Sequence, residues 1–141
     1  MLPGIIVRTI PSLQHSNTPR LFTLNFESPL NSSFMKALLV ISTFPDADTA
    51  RQIGTALVQK QLAACVNITP GIESIFNWKG KLDYEPEILA LIKTTSEAYP
   101  ALEAELLERH PYDNPELIAI DVARGSSACL DWIAESTRSR S

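Results

Sequence analysis

Residues 65–95 read CVNITPGIESIFNWKGKLDYEPEILALIKTT, and this stretch decides the fold. Two apolar segments are separated by Trp-Lys-Gly at 78–80, where the glycine can adopt the positive φ of a hairpin turn. Pro70 and Pro86 interrupt the two arms, and proline cannot donate a hydrogen bond to a strand ladder. We therefore predict a long antiparallel hairpin with an irregularity in each arm, whose outer half bends away from its inner half.

The second arm contains an uninterrupted apolar segment, ILALI at 88–92. Because neither alternate set of side chains is polar, this segment is predicted to be a central strand that is covered on both faces. Two further strands are predicted at 37–43 (ALLVIST) and 117–122 (LIAIDV), which are short, apolar and rich in β-branched residues.

Amphipathic segments between and after these strands predict three helices. The first can be capped by Asp46 or Asp48, and Gly54 within it favours close packing on a sheet. Its apolar stripe consists of Ala50, Ile53, Leu57 and Val58. Thr94 and Glu97 have the spacing of a capping box and are predicted to open the second helix.

The remaining helix boundaries follow from polar and proline residues. The second helix has a buried stripe and ends before Pro111; the third is capped by Ser126. The inward-facing residues of these two helices are predicted to be Ala98, Leu102, Leu106, Cys129, Leu130 and Ile133.

The element order is therefore β-α-β-β-α-β with a C-terminal helix. This order is typical of an α+β, ferredoxin-like split β-α-β sandwich, in which a four-stranded antiparallel sheet carries two helices on one face. The hairpin side chains Ile75, Phe76 and Trp78 are too apolar to remain in water, so self-association is the simplest way to cover them.

Length and composition exclude several classes of protein. The chain has 141 residues, 45% hydrophobic and 20% charged residues and a net charge of −4, as expected of one globular domain. Its Lys and Arg residues are scattered, so nucleic acid is not a predicted partner. No run of 18 apolar residues is present, so no membrane span is predicted.

Residues 1–34 differ from residues 35–141, which we predict to form the folded domain. The leader holds Arg8, Arg20 and Glu27 as its charged residues, and no helical or alternating period persists in it. We interpret it as a disordered or dispensable N-terminal extension, with Met35 as a second possible start. A targeting segment and an ordered extension are the alternatives.

Two cysteines, Cys65 and Cys129, lie in apolar surroundings and outside any C-x-x-C pair. They are predicted to be free, buried thiols, which is typical of a protein in a reducing compartment such as the cytoplasm.

No strong catalytic motif is present, and the chain is predicted not to be an enzyme. Cys65 and His110 could form a nucleophile–base pair only if the fold brings them together. Glu87, beside Pro86, is either a partly buried carboxylate with a raised pKa or the partner of a lysine such as Lys93.

The metal-ligating residue types are sparse. Cys65, Cys129 and His110 show no ligand-pair spacing, so a metal site within one chain is not favoured, whereas a site shared between subunits could collect one ligand from each. The segment His110–Tyr112 is either a helix stop with a packing aromatic or a ligand-contacting loop. Trp78 is either a core or interface aromatic or a residue that stacks on a ligand.

Several short motifs lie in a fixed order between residues 36 and 134. They are Cys65-Val66-Asn67-Ile68, Pro70-Gly71-Ile72, Ser74, Trp78-x-Gly80-Lys81, Glu87, Ile92-Lys93-Thr94, His110-Pro111-Tyr112 and Pro115-Glu116. In this order and spacing the chain resembles the CutA family, which is named for divalent-cation tolerance.

The resemblance implies a ferredoxin-like subunit, a homotrimer related in architecture to PII signalling proteins, and a link to copper and other divalent ions. It also implies a cleft between neighbouring subunits. The residues carried over to that cleft are Cys65, Trp78, Glu87, Lys93, His110 and Tyr112.

Some family members have copper ligands assigned to a cysteine in the first strand and to two adjacent histidines. This chain has Ser42 at the strand position and Arg109 before His110, and it also departs from the family pattern at Asp113-Asn114. His110 and Cys65 are therefore the candidate metal ligands, for weakly bound Cu²⁺ or another divalent cation. Trp78, Glu87, Lys93 and Tyr112 are the candidate cleft residues.

Three functions follow as hypotheses. The first is a cytoplasmic, non-enzymatic homotrimer involved in divalent-metal tolerance, with weak metal or small-ligand binding at clefts between subunits. The second is a PII-like module that binds a small anion or nucleotide with Lys81, Lys93 and Arg109. The third is an enzyme that uses Glu87 or His110 as acid or base.

Overall fold

A computed structural model describes residues 35–139 of the chain. Its elements in chain order are β1 (Ala37–Phe44), α1 (Ala47–Gln59), β2 (Cys65–Trp78), β3 (Lys81–Thr95), α2 (Tyr99–Arg109), β4 (Ile118–Asp121) and α3 (Ser127–Ser136). The predicted element order is confirmed. The expectation for residues 1–34 lies outside the described residues.

The four strands form one sheet in the order β2-β3-β1-β4, and all three neighbouring pairs are antiparallel. This is the predicted α+β, ferredoxin-like arrangement, with β3 in a central position. One alternate set of β1 and β3 side chains, which includes Val40, Phe44, Ala90 and Ile92, packs in the core with α1 and α2. In the predicted central segment, Leu89 and Leu91 of the other set are only half-buried, so the prediction that both faces are covered is wrong for the single chain.

The hairpin turn consists of Lys79 and Gly80, with φ of 52° and 81°. Two consecutive residues with positive φ make a turn whose twist matches that of the flanking strands. The predicted positive φ at Gly80 is therefore confirmed, and the turn joins strands of 14 and 15 residues.

The predicted irregularity at Pro70 is confirmed. Thr69 lies opposite Leu89 and Ile72 lies opposite Glu87, so β2 has one more residue than β3 across this step. That extra residue makes a β-bulge, and Gly71 supports it with a φ of 76°.

The irregularity expected at Pro86 is absent, because Pro86 stays in register opposite Glu73. Within residues 35–139, β3 pairs with β1 only as far as Ile88. Beyond Ile88, the edge of β3 that faces β1 has no neighbouring strand within the described chain. Pro86, which has no N–H, therefore removes no hydrogen bond on that edge.

The first helix begins and packs as predicted. Asp46 is its N-cap, and its Oδ1 accepts a 2.7 Å hydrogen bond from the Thr49 N–H, which lowers the pKa of the carboxyl group. Gly54 faces Val66 so closely that an added Cβ would lie 3.1 Å from Val66 Cγ1. Val58 is the exception in the predicted stripe, since it is exposed.

The second helix does not begin with the predicted capping box. Thr94 belongs to β3, and α2 starts at Tyr99 after an N-cap, Ala98, without a side-chain hydrogen bond. Thr95 Oγ1 instead accepts from the Ala98 N–H at 3.4 Å. Strand pairing of residues 94 and 95 with β1 displaces the helix start.

The third helix is capped by Ser126 as predicted, and Ile133 is buried. Both cysteines are free, but Cys129 is exposed and Cys65 is half-buried, so the prediction of buried thiols is wrong. The apolar sequence neighbourhood of Cys129 did not place its thiol in the core, because few residues of α3 are buried.

Candidate functional site

A cleft of about 1030 Å³ lies between the outer half of the β2–β3 hairpin and the segment that follows α2. We call residues 72–87 the arm and residues 111–116 the cleft loop. The carboxylates that line the cleft are Asp83, Glu85 and Glu87 of the arm with Asp113 and Glu116 of the cleft loop. Among the described residues, no Lys or Arg side chain lines it, so the cleft carries a negative potential.

The arm and the cleft loop are joined by a hydrogen bond. The Tyr112 hydroxyl donates to Glu87 Oε1 at 2.9 Å, and Glu87 is only 9% exposed. Burial, the Glu87 hydrogen bond and the negative charges of Glu87 and Glu85 raise the pKa of Tyr112 to about 12. Tyr112 is therefore a protonated donor near neutral pH.

His110 connects the base of the cleft loop to β1. Its Nε2 lies 2.8 Å from the Thr43 carbonyl oxygen, and its Nδ1 lies 3.1 Å from the Tyr112 backbone nitrogen. A carbonyl only accepts and an N–H only donates, so Nε2 carries the proton and Nδ1 is the acceptor. The ring also stacks on Phe44 with centroids 4.9 Å apart.

Local sequence explains why His110 occupies this place. Pro111 prevents the helix from continuing, and His110 adopts φ −71° and ψ 135° as the C-cap of α2. The chain then turns toward the arm, which brings Tyr112 to Glu87. The segment therefore ends the helix as predicted and also lines the cleft, whereas contact with a ligand stays a prediction.

Cys65 and Lys93 lie together but away from the cleft. They are opposite each other in the β2–β3 ladder, and the Lys93 ammonium donates to Asn67 Oδ1 at 2.6 Å. Lys93 is six positions from Glu87, about 20 Å along an extended strand. The predicted Glu87–Lys93 pair is therefore wrong.

The two candidate metal ligands, Cys65 and His110, lie at different levels of the sheet. Cys65 is level with Lys93 on β3, whereas the His110 partner Thr43 is level with Leu89. Four positions along a strand are about 13 Å. One chain therefore does not bring Cys65 and His110 together, either as metal ligands or as a nucleophile–base pair.

Trp78 lies at the tip of the arm, where it lines the cleft and is 54% exposed. The Lys79 ammonium lies 5.8 Å from the centre of its ring. The exposed indole ring of Trp78 could therefore stack on a ligand or pack against another subunit.

Sequence reasoning missed four of the cleft carboxylates. Asp83, Glu85 and Glu87 are two residues apart, and this period places side chains on one face of a strand. That signal was visible in the sequence. Asp113 and Glu116 lie outside helix and strand, and no periodicity could have placed them.

A family model for the CutA1 divalent ion tolerance protein matches residues 38–136. The divalent-cation tolerance protein CutA of Thermus thermophilus is 44% identical over 99 residues, which is 70% of this chain and 96% of that protein. The chain belongs to the CutA family.

Further CutA relatives agree with this assignment. The chloroplastic CutA protein of Arabidopsis thaliana is 34% identical over 129 residues, 92% of this chain and 71% of that protein. The solved structure of CutA1 from Oryza sativa is 36% identical and superimposes with a TM-score of 0.72, covering 74% of this chain and 96% of that one. A CutA structure from Archaeoglobus fulgidus, described as periplasmic, has a TM-score of 0.70 at 36% identity and covers 72% and 99% of the two chains.

The donor set does not form a CutA metal site within one chain. Across residues 35–139, no three His, Cys, Asp or Glu side chains converge closely enough to hold a metal ion. Both ring nitrogens of His110 are hydrogen-bonded, and Ser42, at the position of the expected cysteine, donates to the Glu116 carbonyl oxygen at 2.7 Å. Of the three positions that the resemblance associates with copper, this chain keeps His110 alone, and both of its ring nitrogens are already hydrogen-bonded.

In the described part of this CutA chain, no helix is both long and apolar enough to cross a membrane.

Proposed function

We propose that the chain acts in divalent-cation tolerance as a non-enzymatic homotrimer and binds a divalent cation or a small ligand weakly in clefts between its subunits. The observation that carries the proposal is that four large apolar side chains of the arm are more than half exposed, and that two of them, Ile75 and Trp78, line the acidic cleft. The exposed fractions on the arm are 62% for Ile75, 56% for Leu82, 54% for Tyr84 and 54% for Trp78. An apolar surface of this kind is typical of a protein–protein interface.

The sheet edges support assembly into a ring. Over residues 35–139, β2 and β4 each pair with one strand only, and Ile118 and Ile120 of β4 are exposed as well. A contact between two different edges is head-to-tail, and head-to-tail contacts close into rings when the rotation permits. Three copies are the number that the family resemblance implies.

Weak rather than tight metal binding is expected. His110 offers no free nitrogen, so the available donors in the cleft are carboxylate oxygens, and Cu²⁺ prefers nitrogen donors. A neighbouring subunit that covers the arm would add its own side chains to Asp83 and Glu85. The name of the Thermus thermophilus relative, a divalent-cation tolerance protein, agrees with such a ligand.

A cytoplasmic location is part of the proposal, because both cysteines are free, as in reducing compartments. The alternative, a PII-like module for an anion or nucleotide, has less support. The cleft carboxylates would repel an anion, and Lys93 and Arg109 are bonded to Asn67 and Glu105 outside the cleft.

Assembly is tested by size-exclusion chromatography with light scattering. Wild-type chain is expected to give three times the monomer mass, and Leu82→Glu on the arm is expected to dissociate it by burying a charge in the interface. Val58→Glu is the matched control, since Val58 is an exposed aliphatic residue of α1. A wild-type monomer at micromolar concentration would refute the proposed assembly.

Metal binding is tested by calorimetric titration with Cu²⁺. Glu85→Gln removes a cleft carboxylate and should weaken binding about tenfold, the scale of one charged ligand interaction. Glu108→Gln removes an exposed carboxylate of α2 and should leave binding unchanged. Equal loss in the two variants, or no heat with wild type, would count against a metal site in the cleft.

A further inference from the structure

The cleft loop is fixed to two consecutive residues of β1. At its start, the His110 ring bonds to the Thr43 carbonyl oxygen through Nε2 and to the Tyr112 N–H through Nδ1. At its end, the Ser42 hydroxyl donates to the Glu116 carbonyl oxygen at 2.7 Å. Tyr112 lies between these two attachments and donates to Glu87.

Both attachments are buried. Ser42 is fully buried and His110 is 7% exposed, and no buried side-chain nitrogen or oxygen in the described residues is without a hydrogen-bond partner. The His110 ring is also held by its stack on Phe44. A metal ion could bind a ring nitrogen of His110 only after one of these two hydrogen bonds breaks.

We infer that His110 and Ser42 are positioning residues that clamp the cleft loop, and that His110 does not ligate a metal. The clamp holds Tyr112 against Glu87 and so sets the spacing between the arm and the cleft loop. Ser42 and His110, two of the three positions that the resemblance associates with copper, thus shape the cleft in this chain. The metal part of the inference rests on the proposed function, whereas the clamp itself does not.

The first test observes the imidazole directly. The chain has two histidines, so ¹⁵N-histidine labelling of full-length His15→Ala protein reports on His110 alone. Metal-free protein is expected to show the Nε2–H tautomer, as the hydrogen bond from the Tyr112 N–H to His110 Nδ1 requires. The Nδ1–H tautomer would overturn the clamp.

The second measurement adds Cu²⁺ to the same sample. Pulsed electron paramagnetic resonance is expected to show no ¹⁵N imidazole coupling to bound copper, and a coupling would overturn the assignment of His110 as a non-ligand. If no copper binds at all, the metal part of the proposed function fails. The clamp is then still decided by the tautomer and by the variants below.

The third measurement is amide hydrogen exchange at Tyr112. His110→Ala and Ser42→Ala should each speed exchange about tenfold by removing one attachment of the loop. His110→Asn should restore most of the protection, because its side-chain oxygen can replace Nδ1 as acceptor.

The control is Thr55→Ala, which removes a hydroxyl that donates at 2.7 Å to the Arg51 carbonyl oxygen on the surface of α1. It should leave Tyr112 exchange unchanged. Unchanged exchange in both Ser42→Ala and His110→Ala, with the fold intact, would overturn the clamp.

Discussion

The inner and outer halves of the β2–β3 hairpin are both paired antiparallel strands, but they pack against different neighbours. In the inner half, Ala90 and Ile92 are fully buried with α1 and α2 in one core. In the arm, Leu82 and Tyr84 remain exposed, because no helix of the described chain covers them. A two-stranded hairpin alone is marginally stable in water. The inner half is therefore stabilised by its own chain, whereas the arm has an apolar surface that another copy can cover.

The largest effect is expected from truncation in the inner core. Leu106→Ala should lower the free energy of unfolding by about 2–5 kcal/mol, because it leaves a cavity at a fully buried position. Leu82→Ala on the arm should cost about 0.5 kcal/mol in dilute protein, as at other exposed sites. Urea denaturation at several protein concentrations measures both.

The dependence of these stability costs on protein concentration distinguishes the two regions further. The cost of Leu106→Ala should be the same at every concentration, whereas that of Leu82→Ala should grow as copies associate. Equal costs in dilute protein would mean that the arm packs on its own chain.

A smaller effect is expected at the hairpin turn. Gly80→Ala should destabilise the fold by about 1–2 kcal/mol, because an L-residue is strained at the φ of 81° found there. Lys79→Asn is the control, since asparagine tolerates positive φ and should cost little. Thermal unfolding and limited proteolysis of the arm report both variants. A loss in Lys79→Asn as large as that in Gly80→Ala would contradict the turn conformation.

The smallest effect is expected from Tyr112→Phe at alkaline pH. The pKa of Tyr112 is raised to about 12 in the folded chain, so ionisation opposes folding. The contribution of the protonated Tyr112 hydroxyl to the free energy of unfolding is therefore fully present below about pH 10. It is lost as the pH rises toward about 12. The phenylalanine variant lacks this loss. Because Tyr112 is more than one-third exposed, solvent screens the effect.

Chemical denaturation of both proteins between pH 7 and 12 tests this prediction. The difference in unfolding free energy should be constant up to about pH 9 and then change in favour of Tyr112→Phe. A constant difference over the whole range would show that the Glu87 contact does not depend on the phenol proton.

The sequence alone determined the features that depend on neighbouring residues. The turn at Gly80, the bulge at Pro70, and the caps at Asp46 and Ser126 all follow from backbone preferences of single residues. The prediction that Thr94 opens the second helix was wrong, because pairing with β1 extends strand β3 through Thr95. The helix preference of a short segment is easily overridden when the same residues can pair with a distant strand.

Only the tertiary structure decided what the candidate site residues do. Glu87, His110 and Tyr112 come together because β1, β3 and the cleft loop meet, and no spacing in the sequence encodes that meeting. The same packing placed Cys65 and Lys93 away from the cleft. The chemical type of a side chain can be read from the sequence. Whether its nitrogen is free for a metal or hydrogen-bonded to the backbone depends on contacts between distant segments, as at His110.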